Sequence, residues 1–287
     1  MSHAAVARAL RLRTNAVRHR TGRSLSALTL SVVSHGHEAL LERLLKDLAN
    51  WPEARAAKVV VTLNRSGEPF DAAAHPALRI EVLRSARPQG FGANHNAALA
   101  HCRTPWFLVL NPDLRLPSNP FPALLAAAHC WPEAALLAPR VMGSDGRTVE
   151  DSVRAHLTPA SLIQRRLCGK REPVHPDALA KRGGPFYWLA GMFLMLRCDA
   201  LRAVGGFDER FFMYCEDYDL SARLWLAGHA LMQVSDATVV HAAQRASHRS
   251  VRAMSWHLRS LARVWTSPAY WRVMFQSGRR SRAVHRP

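Results

Sequence analysis

Short apolar runs alternate with helical segments over the first half of the chain, and this rhythm fixes the fold class. Residues 28–34 (Leu-Thr-Leu-Ser-Val-Val-Ser), 58–63, 79–83 and 106–110 read as strands. Residues 38–49 set Leu40, Leu41, Leu44, Leu45 and Leu48 at helical spacing. Residues 92–102 form a helix of small residues, and residues 120–129 are again helical. The order β-α-β-β-α-β-α requires a mostly parallel sheet with helices on both faces. In such sheets ligands sit beyond the carboxyl ends of the strands. Three of these ends are polar, Ser34-His35, Asn64-Arg65-Ser66 and Asn111-Pro112-Asp113, which predicts a ligand crevice there.

After residue 143 the pattern loosens. Residues 144–185 are polar, with Pro, Gly and several Arg, and read as a surface excursion. Order returns with the apolar run 186–196, the Gly205-Gly206 turn, a helix over 216–227 and short strands around 230–240. The segment 207–220 holds five acids, Asp208, Glu209, Glu216, Asp217 and Asp219, in an otherwise basic protein. Acids at a helix start are favoured by the helix dipole alone. Beside a ligand crevice they also become candidates for chemistry.

The formal charge of +18 is uneven. Residues 1–23 hold six Arg and residues 245–287 ten, with no acid in either, while residues 24–244 carry 23 basic against 21 acidic side chains. This predicts a near-neutral domain over 26–245 with a basic extension at 1–25 and a basic tail at 246–287. The tail interleaves Trp256, Trp265, Tyr270, Trp271 and Phe275 with its arginines, a composition suited to an anionic membrane interface rather than to specific nucleic acid. The alternative is a tail helix packed on the core. The five cysteines have no metal spacing and suit reduced thiols in the cytoplasm. The apolar run 186–196 is too short to span a bilayer. The expected location is cytoplasmic, peripheral to the inner face of the plasma membrane.

Residues 87–96, Arg-Pro-Gln-Gly-Phe-Gly-Ala-Asn-His-Asn, lie between a strand and a helix. Gly90 and Gly92 would let backbone approach a ligand, and a helix N-terminus favours an anion such as a diphosphate. Asp113, just past a strand end, is placed to hold a divalent cation on that diphosphate, although an isolated Asp there also serves as a helix cap.

Taken in order, the motifs resemble the inverting family 2 glycosyltransferases of GT-A fold, in the bacterial branch that contains rhamnosyltransferases. They are Val32-Val33-Ser34-His35, Thr62-Leu63-Asn64, the run from Gly90 to Asn96, Leu110-Asn111-Pro112-Asp113, Trp188-Leu189-Ala190-Gly191, Gly205-Gly206-Phe207-Asp208-Glu209, the run from Phe212 to Leu220, and Val239-Val240-His241. The resemblance covers about residues 28–245. It implies a nucleotide-sugar half over 26–143 and an acceptor half over 144–245. Ser34, His35, Asn64, Gly90, Phe91, Gly92, Asn94, Asn96, Asn111 and Asp113 would bind the donor. Asp113 and His241 would hold Mg²⁺ or Mn²⁺, Asp217 would be the general base, and Trp188, Gly191 and Glu216 would meet the acceptor.

The implied reaction moves a sugar, L-rhamnose from dTDP-rhamnose as the best single expectation, to a glycan or lipid-linked acceptor in surface-polysaccharide assembly. The alternatives are a UDP-sugar donor, or a non-catalytic module that binds nucleotide or glycan. The chain departs from the family pattern at Asn111, where the metal motif usually carries a first acid, at Gly36, where an Asn is usual, and at Tyr187, where an acid is usual.

Overall fold

The computed structural model describes residues 27–168, 179–181, 184–242 and 251–281. The first half runs β1 (Leu28–Ser34), α1 (Glu38–Leu48), α2 (Pro52–Ala56), β2 (Lys58–Leu63), β3 (Arg79–Arg84), α3 (Phe91–Ala100), β4 (Trp106–Leu110), β5 (Leu114–Arg115), α4 (Phe121–Cys130) and β6 (Ala134–Met142). The second half runs β7 (Val153–Ala155), α5 (Pro159–Cys168), β8 (Leu179–Ala180), β9 (Tyr187–Leu189), β10 (Phe193–Arg197), α6 (Cys198–Ala203), α7 (Glu216–Leu226), β11 (Ala230–His241), α8 (Val251–Thr266) and α9 (Pro268–Ser281).

The main sheet has the order β3-β2-β1-β4-β10-β6-β11-β5, with β8 paired to β11. Strands β3, β2, β1 and β4 are parallel, as are β6 and β11. β10 is antiparallel to β4 and β6, and β5 and β8 are antiparallel to β11. β10 therefore carries the second half of the chain into the middle of the first half's sheet. The expected division at residue 143 is one of sequence; both halves share one sheet.

Alternation along each strand builds two cores, one on each face. Leu28, Leu30 and Val32 of β1 join Leu108 and Leu110 of β4 beneath α1 and α4. Phe107 and Val109 face the other way, toward residues of α3, α6 and α7. On that second face Ser31 hydrogen-bonds His95 Nδ1 of α3 at 2.8 Å, and Thr29 hydrogen-bonds Thr104 in the loop after that helix at 2.8 Å, so both polar members of Leu-Thr-Leu-Ser are satisfied.

Three sequence expectations change. The excursion at 144–185 contains β7, α5 and β8, and β7 pairs with β9 in a small second sheet. The apolar run 186–196 is two strands, and the short strands near 230–240 are one twelve-residue strand, irregular between Val234 and Thr238. The third is the tail. Its described part is a helix pair joined to the core: Leu261, Val264, Tyr270 and Val273 are buried in the cluster that holds Tyr218 and Trp225. The extension at 1–25 lies outside the described residues.

Candidate functional site

The loops after β1, β2 and β3 are locked together at the carboxyl edge of the sheet. Asn64 Oδ1 accepts the Gln89 backbone N–H at 2.8 Å, and Asn64 Nδ2 donates to Gln89 O at 2.9 Å. Asn94 Nδ2 donates to Gly90 O at 2.9 Å and to Gln89 O at 3.2 Å. Ser34 Oγ donates to Glu68 and accepts the His37 N–H, and His35 is exposed at the rim. These side chains hold the loops at that edge together.

The two glycines make room for protein. A Cβ on Gly90 would lie 2.9 Å from the backbone of Phe211 and Phe212, and one on Gly92 would lie 2.7 Å from Phe207 Cβ. Phe91 N donates to Phe212 O at 2.9 Å. Asn96 is similarly occupied, accepting the Phe207 N–H and donating to Phe207 O and Glu209 Oε1, each at 2.9 Å. Gly90, Gly92 and Asn96 thus dock the start of α3 onto the 206–212 loop. Phe91 is the member of this run whose ring turns toward the acidic segment, with Cζ 3.5 Å from the position a Gly191 Cβ would take.

Within that segment three of the five acids are held by other side chains. Asp208 pairs with Arg210, Glu209 accepts from Asn96, and Asp219 pairs with Arg223 at 2.8 Å. Glu216 and Asp217 remain. They open α7 directly after Tyr214 (φ 74°) and Cys215 (φ 65°), two non-glycine residues in the left-handed region. Such backbone is unfavourable for L-residues and persists only where surrounding packing enforces it. Here α8 supplies that packing: Trp256 meets Phe212 at 4.7 Å between ring centroids, His257 meets Tyr214 at 5.2 Å, and Ser260 Oγ donates to Met213 O at 2.8 Å.

Asp217 is half-buried. Its Oδ2 accepts the Gly191 N–H at 2.9 Å and its Oδ1 accepts the Tyr218 N–H at 2.8 Å. Burial pushes its pKa up, while the Arg154 guanidinium and these amides pull it back. Glu216 is buried, and its Oε2 has no hydrogen-bond partner. Burial first, then the neighbouring Asp217, pushes the Glu216 pKa up. Gly191 lies against Asp217. Trp188 does not offer a free face: it is buried, its indole N–H donates to Ala155 O at 2.9 Å, and the Arg154 guanidinium stacks 5.0 Å from its ring centre.

Asp113 and His241 meet across 128 residues of sequence, with His241 Nε2 3.1 Å from Asp113 Oδ2. The other ring nitrogen, Nδ1, lies 2.9 Å from Glu150 Oε2. Burial lowers the His241 pKa, but the two carboxylates outweigh it and raise it to about 8. Asp113 Oδ1 is buried with no partner. Among the described residues no group of three or more His, Cys, Asp or Glu side chains could hold a metal ion by itself. The orphaned Asp113 oxygen nevertheless fits a hard divalent cation that takes its remaining ligands from phosphates and water, and His241 would join it only as the neutral imidazole, after losing the proton its two carboxylate partners favour. Asn111 N donates to Met192 O at 2.9 Å. Adjacent residues Gly191 and Met192 therefore connect Asp217 to the strand end that carries Asp113.

Residues 29–204 match the family model described as Glycosyl transferase family 2. The chain belongs to glycosyl transferase family 2. It is 32% identical over 254 residues to an N-acetylglucosaminyl-diphospho-decaprenol L-rhamnosyltransferase of Mycobacterium tuberculosis, with 80% of each chain covered. It is 28% identical over 242 residues to Rhamnosyltransferase WbbL of Escherichia coli, covering 81% of this chain and 90% of that one. Among solved structures it resembles the mannosyltransferase PcManGT from Pyrobaculum calidifontis in complex with GDP-Man and Mn²⁺. The TM-score is 0.59 at 17% identity, with 95% of this chain and 77% of that one covered. The fold is GT-A.

Sequence reasoning about this family 2 glycosyltransferase missed Arg154, Glu150 and Glu68. Arg154 and Glu150 lie in the stretch read as an excursion, which gave no periodicity to place them. Glu68 is buried against Ser34 with Oε2 unpartnered. An acid four residues beyond the Asn64 strand end was the available signal.

Proposed function

We propose that this glycosyltransferase is an inverting, metal-dependent rhamnosyltransferase that moves L-rhamnose from dTDP-rhamnose to a lipid-linked or growing glycan. The setting is surface-polysaccharide assembly at the cytoplasmic face of the plasma membrane. The rhamnosyl assignment takes support from the two rhamnosyltransferases it resembles over four-fifths of its length. The observation that carries the mechanism is the environment of Asp217. It is half-buried, fixed through both oxygens by backbone amides, and adjoins Phe91 and Gly191, where the donor loop meets the acceptor half.

Asp217 takes the proton of the acceptor hydroxyl as that oxygen attacks the anomeric carbon. The bond from that carbon to the diphosphate oxygen breaks on the opposite face, so one displacement inverts the centre and releases dTDP. A carboxylate of raised pKa accepts a proton more readily than an exposed one, and the two amides fix the direction of its lone pairs. Asp113, with His241 as the neutral imidazole, would hold Mg²⁺ or Mn²⁺, which when bound would offset the charge gained by the leaving diphosphate. Ser34, Asn64 and Asn94 hold the crevice loops in place for the nucleotide.

The test is a transfer assay with dTDP-rhamnose, UDP-sugars and GDP-mannose, each with and without Mn²⁺, using a diphospholipid-linked N-acetylglucosamine acceptor. Acceptor-dependent dTDP release that needs the cation is the expected result. Turnover with a UDP-sugar alone would replace the donor, and binding without any turnover would leave a non-catalytic module.

A further inference from the structure

Six large apolar side chains are exposed among the described residues, and four of them lie on the last two helices: Met254 (54%), Leu258 (58%), Trp271 (45%) and Phe275 (61%). They form two stripes with helical i,i+4 spacing, Met254 with Leu258 on α8 and Trp271 with Phe275 on α9. The Trp271 and Phe275 rings lie 6.2 Å apart. The same two helices bury Leu261, Val264, Tyr270 and Val273 in the core, so the stripes are the exposed edges of packed helices. Arg259 and Arg272, the sequence neighbours of Leu258 and Trp271, are exposed as well, and Arg272 also borders a pocket lined by the Asp208–Arg210 and Asp219–Arg223 pairs. From residue 245 to the end there are ten arginines and no acid.

Apolar side chains, one of them an indole, interleaved with arginine and free of acids, are the chemistry of an anionic lipid interface. A protein partner of ordinary composition would bring apolar surface, but it would not require a segment free of acids. The inner face of α8 adds a second point. It holds the 211–214 loop through Trp256, His257 and Ser260, and its Arg263 guanidinium stacks over the Phe211 ring at 5.7 Å. One helix thus presents apolar and basic groups outward and supports the segment leading into Asp217 inward.

We propose that the outward stripes of α8 and α9, with Arg259 and Arg272, form a docking surface for anionic membrane, and that docking sets the Asp217 loop beside the lipid surface. The second part rests on the lipid-linked acceptor of the proposed function; the first does not.

The full chain is incubated with vesicles of phosphatidylglycerol and phosphatidylcholine, and with phosphatidylcholine alone, and partitioning is read by co-sedimentation across a salt series. Three variants are compared: Phe275→Glu, the fourfold Met254→Gln/Leu258→Gln/Trp271→Gln/Phe275→Gln, and Arg259→Gln/Arg272→Gln. The parent is expected to bind the anionic vesicles and not the neutral ones. The single and fourfold variants should bind at least about tenfold more weakly at every salt concentration, as loss of interfacial apolar area predicts. The double-arginine variant should bind about tenfold more weakly at low salt, with the difference shrinking as salt rises. Turnover on a soluble acceptor should be unchanged in all three, while turnover on a lipid-linked acceptor falls. Failure of the rhamnosyl assignment would alter turnover and leave the vesicle result intact. The proposal is overturned by equal vesicle binding of the parent and Phe275→Glu, or by equal binding to both vesicle types. A solution dimer of the parent that the fourfold variant converts to monomer would also overturn it, since the covered partner would then be a second copy.

Discussion

Asp217 Oδ2 accepts the backbone N–H of Gly191 at 2.9 Å. The bond ties the first turn of α7 to the loop before β10, the strand that joins the two halves of the sheet. Through Met192, the next residue, that loop also holds the strand end bearing Asn111 and Asp113. The expected base and the expected metal acid are thus positioned by two consecutive residues of backbone.

The glycines around this junction are predicted to respond differently. A Cβ at Gly191 would make ordinary contact with Phe91 and Asp217, at 3.5 and 3.6 Å, whereas one at Gly90 would meet the Phe211 and Phe212 backbone at 2.9 Å. Gly90→Ala should therefore destabilise the fold by about 1–3 kcal/mol, the usual effect of overpacking. Gly191→Ala should keep its melting temperature and lose acceptor affinity. Thermal melts beside acceptor KM values check both, and equal melting temperatures for the two variants would contradict the packing seen here.

Asp113→Asn removes the carboxylate whose Oδ1 has no protein partner. Calorimetric titration with dTDP should show that Mn²⁺ strengthens binding to the parent and makes no difference to the variant. A cation effect of the same size in both would place the metal elsewhere.

Glu216 gives a prediction with a definite sign. Its pKa is pushed up from 4.5 to about 8 by burial and by Asp217. The folded state therefore holds this proton more tightly than the unfolded chain does, and the residue's contribution to stability falls as pH rises from about 4.5 to about 8. Glu216→Gln, which carries no such charge, should melt progressively higher than the parent across that interval, with little further change outside it. A pH-independent difference between the two melting curves would rule out the raised pKa.

Removing residues 268–287 should lower the melting temperature by at least about 5 °C, since two buried side chains are each worth about 1.5–3 kcal/mol. Tyr270 and Val273 are both core residues, and Tyr270 stacks on His156 at 4.7 Å. An unchanged melting temperature would restore the picture of an independent tail. Sequence composition favoured that picture because arginines dominate the segment, and the inward residues are few: Leu261, Val264, Tyr270 and Val273.

What the sequence reveals divides along physical lines. β1 to β4 and the helices between them were legible because each strand alternates toward two covered faces and each helix has its own periodicity. β6 was overlooked although Pro132 marks a break after α4 and Ala134 to Ala138 are all buried, because Ala-Ala-Leu-Leu-Ala shows neither strand alternation nor β-branched residues. The antiparallel insertion of β10 between β4 and β6 depends on pairing across distant sequence, which no local pattern encodes. At the site, the resemblance supplied Asp217, and Asp113 with His241; the fold places the last two 3.1 Å apart. The docking of Gly90 and Gly92 onto the 207–212 loop was not legible, because a glycine makes room equally for a ligand or for a loop and the Phe207–Phe212 contacts come from distant sequence. The left-handed Tyr214 and Cys215 were hidden because neither residue type signals positive φ.

The most direct test is turnover by Asp217→Asn with dTDP-rhamnose and a lipid-linked acceptor, measured together with dTDP affinity. If Asp217 removes the acceptor proton, turnover falls by about 10²–10⁴-fold, dTDP binds as it does to the parent, and the melting curve shows a folded protein. A folded variant that transfers rhamnose at close to the parent's rate would contradict the account and move the base to another residue.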